Sequence, residues 1–241
     1  LVEPEIAAVD QAVRGLGFDL DGPEVVEQTP TRDSRLRILL GLINERLLQG
    51  GSWCDDERLV VFTEYKTTLD YLARCLSDQY DGERLLTLYG GMDDVQRDQV
   101  KTAFNDPAHS VRILLATDAA AEGLNLQRTS RYLLHYDCPW NPSRLEQRNG
   151  RLDRHGQARD VTVFHFVSDQ DHDLQFLAHV IAKADEIRED LGGTNELFDE
   201  AAHRRLVNGE SLEVVRRDLD QRVAAARGRA AIDGDDTITT D

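Results

Sequence analysis

Four arginines, Arg144, Arg148, Arg151 and Arg154, fall within eleven residues of the stretch Tyr136–Gln157. The chain around them is acidic: 45 Asp and Glu against 28 Lys and Arg give a formal net charge of −17. Arg148, Arg151 and Arg154 are spaced three apart, and on a helix such positions share a face. Three guanidiniums converging on one spot require an anion, and the planar fork of arginine matches phosphate or carboxylate. On these residues alone a plainer reading stays open, an exposed helix laced with ion pairs to Glu146 and Asp153, which stabilises little.

The elements around this stretch decide what it can face. Five short apolar runs, Leu59–Thr63, Leu85–Tyr89, Val111–Thr117, Tyr132–Tyr136 and Val161–Val167, are apolar almost throughout, as expected for strands buried on both faces. Helical patterns at Thr67–Leu76 and Met92–Phe104 separate the first three. Strand–helix–strand alternation predicts an α/β fold with a mostly parallel sheet, whose ligands sit beyond the carboxyl ends of the strands. Upstream, Asp33 or Ser34 caps a predicted helix running to about Gln49, where Gly50-Gly51 ends it. Ile6–Leu16 fits a short amphipathic helix. Downstream, Asp171–Leu191, Asn195–Leu206 and Ser211–Ala226 read as helices, and Gly234 onward as a disordered acidic tail. The predicted organisation is therefore an acidic linker over 1–30, a sheet domain over 31–168, a helical extension over 169–230 and a tail over 231–241.

Composition narrows the function. The acidic balance argues against binding nucleic acid by bulk charge, so any phosphate contact must be local. No apolar run approaches the ~20 residues of a membrane span, and no basic-then-apolar leader opens the chain. The absence of an initiator Met suggests a piece of a longer protein. Three separated cysteines, Cys54, Cys75 and Cys138, make no metal or redox pair and fit a reducing cytoplasm. Asp171-His172-Asp173 is a helix-start cap before it is a metal site. Trp140, flanked by Pro139 and Pro142, fixes a turn more readily than it stacks on a base.

Three phrases carry a resemblance. Gln147-Arg148-x-Gly150-Arg151-x-x-Arg154-x-Gly156-Gln157 resembles motif VI of superfamily 2 helicases. Ala116-Thr117-Asp118-Ala119-Ala120-Ala121-Glu122-Gly123-Leu124-Asn125-Leu126 resembles motif V, and Val60-Val61-Phe62-Thr63-Glu64-Tyr65 resembles motif IV. Tyr89-Gly90-Gly91 with Arg97 and Phe104 resembles the segment between IV and V. Trp140-Asn141-Pro142 and Gly156-Gln157 are similar to the Snf2 branch, in particular its bacterial RapA/HepA-like group.

The resemblance implies a RecA-like three-layer second lobe of an ATP-dependent DNA translocase. Its nucleotide, ATP with Mg²⁺, would lie against an N-terminal RecA-like lobe. That lobe would bring the phosphate loop and the metal ligands, and no Gly-x-x-x-x-Gly-Lys-[Ser/Thr] occurs here. Asp55-Asp56-Glu57 precedes its strand and reads as a solvated turn. By the family pattern, Arg151 and Arg154 are arginine fingers. Gln147, Gly123 and Asn125 approach the nucleotide, and Thr117, Thr63 and Arg97 approach nucleic acid, most simply duplex DNA. Where DEAD-box relatives have Gln, this chain has Asp94, which is expected to cap the helix instead. Alone, the chain is expected to be inactive, and its helical extension to suit a protein partner. Two alternatives remain: a strand-separating helicase or restriction or phage-defence motor, and a catalytically inert interaction module. A first lobe with a Gly-Lys-Thr loop separates motor from module.

Overall fold

A computed structural model describes residues 33–121, 125–137, 139, 142–166, 200–201, 203–205, 208 and 210–235, together with 11 and 14. The expected helix Asp171–Leu191, Gly123, Trp140 and the end of the tail lie outside them, as does most of Ile6–Leu16. The chain divides into two compact units, Leu1–Asp137 with Arg151–Phe164, and Cys138–Gly150 with His165–Asp241.

Runs that are apolar on every residue can be stable only with both faces covered. In the first unit β3 (Leu59–Thr63), β5 (Ile113–Thr117) and β6 (Tyr132–His135) are buried at every position. They form the centre of a five-stranded sheet in the order β4-β5-β3-β6-β7, with β4 (Leu85–Leu88) and β7 (Thr162–His165) at its partly exposed edges. β3 runs parallel to β5 and β6, and β4 parallel to β5. One face presents Val60, Phe62, Leu114, Ala116 and Leu133 to a core completed by Phe104, Ala120, Leu126 and Leu152. Two amphipathic helices connect the first three strands of the sheet, α2 (Lys66–Ser77) and α3 (Asp94–Asn105). α2 buries Leu69, Leu72, Cys75 and Leu76. This is the α/β fold expected from the sequence.

Three local expectations need correction. α1 (Ser34–Arg46) begins at the predicted cap, where the Asp33 carboxylate accepts from the Leu36 amide at 3.0 Å, but it stops before Gln49. Gly50 and Gly51, with φ of 59° and 84°, instead form the two-residue turn of a hairpin, β1 (Leu48–Gln49) with β2 (Ser52–Trp53). Both turn positions need positive φ, which glycine supplies without strain. α3 is capped by Asp93, which accepts from Gln96 N at 2.8 Å, and Asp94 is its first residue. Asp55-Asp56-Glu57 is more than a solvated turn. Asp55 pairs at 3.0 Å with the buried Arg112, and Glu57 accepts from Arg131 at 2.7 Å and Arg159 at 3.5 Å.

Those ion pairs belong to a wider pattern. Arg58, Arg84, Arg112 and Arg131 each stand one residue before a strand of the sheet. Arg58 is 1% exposed and donates to the carbonyls of Phe104, Asp106 and His109. Two of these lie at the carboxyl end of α3, where the helix dipole is negative. Burial, and then the neighbouring Arg112, lower the Arg58 guanidinium to about 10, which leaves it charged at neutral pH.

In the second unit, residues 200, 201 and 203–205 are helical and α6 spans Leu212–Asp235, so the helix continues through Gly234, where a disordered tail is expected. Val215, Leu219 and Val223 bury one stripe of α6. Arg204 bonds Glu210 at 2.7 Å and Asp218 at 2.5 Å, and Arg222 bonds Glu200 at 2.8 Å. None of the helices among the described residues is long and apolar enough to cross a membrane.

Asp33 also accepts from the Tyr71 hydroxyl at 2.8 Å and from Tyr136 at 3.5 Å. Burial, and then the Asp33 carboxylate, push both phenols above their ordinary value. A phenol held protonated in the fold gives stability that is complete below the unfolded value of about 10 and is lost as pH rises beyond it, since the unfolded chain ionises first. Thermal and urea denaturation from about pH 8 to 11 should therefore show a plateau and then a fall above about pH 10. Tyr71→Phe should flatten that fall; an unchanged slope would remove Tyr71 as a cause.

Candidate functional site

Polar groups at the carboxyl ends of buried strands are the ones a ligand can reach. At the end of β3, Thr63 is fully buried and its hydroxyl donates to the Asp137 carboxylate. Both Asp137 oxygens accept from the Glu64 amide at 2.9 Å. The β3–β6 ladder is thus continued past its last residues by a side chain. Among the described residues, the Thr63 hydroxyl proton is given to Asp137.

At the end of β5, Thr117 is 4% exposed and its oxygen accepts from the Gly90 amide at 3.2 Å. A Cβ at Gly90 would lie 3.2 Å from Ala119 Cβ, so the turn after β4 packs directly on α4 (Asp118–Ala121). Arg97 extends from α3 toward the same short helix, with Nη2 3.4 Å from the Ala120 carbonyl and Nε buried without a partner. Arg97 therefore braces α4 instead of standing open on the surface.

Beyond α4, Asn125 is exposed, and the chain at 125–130 lies against the turn that carries Arg151 and Arg154. The Leu126 amide donates to the Arg151 carbonyl at 3.0 Å. Leu152 is fully buried in the sheet core. The Gln157 amide closes the turn onto the Arg154 carbonyl at 3.0 Å, and Gly156, at φ 96°, takes a conformation other residues rarely adopt. Arg151 is partly buried and Arg154 exposed. Neither guanidinium has a hydrogen-bond or ion-pair partner among the described residues. In a chain with 45 acids, two guanidiniums without a partner among the described residues stand on one ordered turn.

The idea of three arginines on one helical face does not hold. α5 (Pro142–Asn149) ends before Arg151, with Gly150 N on the Glu146 carbonyl at 2.8 Å. Core burial of Leu152 fixes the following chain as a turn. Arg148 is 2% exposed and partnered, whereas Gln147 is exposed on α5, in the other compact unit. The arrangement suits phosphate, and no group of three or more His, Cys, Asp or Glu among the described residues could hold a metal ion.

Residues 42–156 match the helicase conserved C-terminal domain. An ATP-dependent helicase of Bacillus subtilis, YqhH, is 33% identical over 175 residues, which cover 68% of this chain and 30% of that protein. The RNA polymerase-associated protein RapA of Vibrio cholerae is 33% identical over 108 residues, 45% of this chain and 11% of its own length. This chain contains a superfamily 2 helicase C-terminal lobe of the Snf2 type. The C-terminal part of the Fun30 ATPase domain agrees at the level of fold, with a TM-score of 0.52 over 65% of this chain and 48% of that one, at 20% identity. The chain spans less than a third of either curated relative.

Of the expected residues, the helicase lobe brings Arg151 and Arg154 to one turn beside Asn125, and Thr117 and Arg97 to α4. Gly123 lies outside the described residues. Sequence reading passes over Asp137 and Gln127, and meets Gln157 only as part of a motif, with no role. Asp137 is the polar residue directly after an apolar strand, a signal that could have found it. The two glutamines act through carbonyls, which no side-chain pattern reveals.

Asp137→Ala removes the acceptor for three bonds and should lower stability by about 2–4 kcal/mol in urea denaturation. Asp137→Asn, which keeps one oxygen, should cost less, and equal losses would mean that bulk and not hydrogen bonding matters here.

Proposed function

We propose that this chain is the second motor lobe of an ATP-dependent, Snf2-type DNA translocase, and that Arg151 and Arg154 are its arginine fingers. The supporting observation is that both guanidiniums lack a partner among the described residues while their backbone is tied down. When bound against a first lobe, ATP with Mg²⁺ supplies a γ-phosphoryl group on which negative charge concentrates during transfer. A guanidinium placed there contributes about 10³–10⁵ in rate. The residues available for it here are Arg151 and Arg154, with Asn125 near the nucleotide.

Thr117 gives a second function to the same edge. Its oxygen accepts from Gly90, which leaves the hydroxyl proton to donate to a DNA backbone phosphate. Closing on ATP would then tighten the fingers and the DNA grip together, and hydrolysis would release both, moving the protein along duplex DNA. The free thiols Cys54 and Cys75 suit a reducing cytoplasm. The relatives named as RNA polymerase-associated make RNA polymerase the first partner to test for the helical unit.

In the two-lobed protein, Arg151→Ala or Arg154→Ala should lower kcat for DNA-stimulated ATP hydrolysis by about 10³-fold or more. ATP affinity, measured by equilibrium titration, should stay within a few-fold. A near-normal kcat in either variant would remove that residue as a finger. This chain alone should show no ATP turnover above background, and robust turnover would overturn the half-site reading. A strand-displacement assay on the two-lobed protein should show little duplex separation; efficient separation would favour a helicase.

A further inference from the structure

The turn that carries the fingers is irregular, so its carbonyls cannot be satisfied by a ladder. Two glutamine side chains satisfy them. Gln127 Nε2 donates to the His155 carbonyl, next to Arg154, at 2.9 Å. Gln157 Nε2 donates to the Ser130 carbonyl at 3.1 Å and the Leu152 carbonyl at 3.3 Å, while its Oε1 accepts from Arg159 N at 3.2 Å. With the Leu126–Arg151 backbone bond and the Arg159 Nη2 contact to the Thr129 carbonyl at 3.3 Å, residues 126–130 and 151–159 are stitched along their length.

Two further facts show how closely this seam is fitted. A Cβ at Gly156 would sit 3.1 Å from Gln127 Nε2, so the absence of a side chain there leaves the amide its place. Gln127 Oε1 is buried and has no partner. An unanswered buried acceptor is costly, and an apolar side chain of similar shape would avoid that cost. The Nε2 donor is the part of Gln127 that offsets it.

We propose that Gln127 and Gln157 are positioning residues that lock the Arg151–Arg154 turn onto the segment following α4, so that fingers and segment move as one body. The inference rests on the finger reading above. Aim is the quantity at stake: a guanidinium misplaced by about 1 Å can lose about 10²-fold in rate while the ground-state complex is hardly affected. The same segment packs Leu126 into one core with Ala120 of α4 and Leu152 of the finger turn. A DNA-side displacement of that segment would be felt at the nucleotide without a separate relay.

The test compares Gln127→Met and Gln157→Met with Arg151→Ala and Arg154→Ala in the two-lobed protein, using linear duplex DNA and ATP. Each methionine variant keeps bulk and removes the donor. Each should lose about tenfold or more in DNA-stimulated kcat, with KM for ATP within about twofold, the split expected when only transition-state contacts suffer. A loss confined to thermal stability, or kcat within twofold of wild type while the arginine variants are inactive, overturns the proposal. Active arginine variants would instead overturn the finger reading beneath it. Should a methionine variant fail to fold, Gln127→Glu and Gln157→Glu pose the same question by replacing the donor with an acceptor, and the same kcat and KM limits decide. In this chain alone, amide exchange at Leu126 should accelerate in Gln127→Met while Val60–Phe62 stay protected. Unchanged exchange at Leu126 would show that the seam does not depend on Gln127.

Discussion

Charge can be buried in this fold only where something answers it, and that constraint separates two sets of arginines. At the amino edge, Arg58, Arg84, Arg112, Arg131 and Arg159 are all engaged, by helix-end carbonyls, loop carbonyls and the acids Asp55 and Glu57. These guanidiniums fix where strands begin. On the turn after α5, Arg151 and Arg154 are engaged by nothing among the described residues. The same residue type is structural where strands begin and unpaired, among the described residues, on that turn. An excess of acids cannot by itself explain that difference; placement does.

Placement follows from the turn. Leu152 is drawn into the core beside Leu126 and Leu133, which forces the chain out of α5 and leaves its neighbours facing outward. The apolar contact fixes the backbone, and the glutamine contacts fix the direction. Neither alone suffices: a buried leucine anchors one residue, whereas two guanidiniums three residues apart need the turn between them held as well.

Much of the fold was legible in the residues. β3 and β5 are buried at every position and apolar up to a closing threonine because both their faces are covered, and a run with that pattern has few other homes. What was misread had two physical answers for one signal. Gly50-Gly51 serves a helix end and a hairpin turn equally, and only the pairing of Leu48 with Trp53 decides. Asp93 and Asp94 are both competent caps, and the one whose carboxylate meets Gln96 N is chosen by the strand that precedes it. Arg148, Arg151 and Arg154 have helical spacing, but Leu152 outbids the helix. Bonds made by side chains to distant groups of the fold were not legible in the sequence. Thr63, Gln127 and Gln157 each bond a partner whose position depends on the fold.

The acids of the carboxyl edge complete the picture. An unpaired arginine near a free carboxylate would collapse onto it, since an ion pair at contact distance is favourable even when partly screened. Asp93 is committed to the amide of Gln96, and Asp137 to Thr63 and Glu64. Carboxylates that accept from backbone amides are held by charge-assisted bonds in fixed directions. The carboxyl edge therefore keeps these two acids by giving them backbone work.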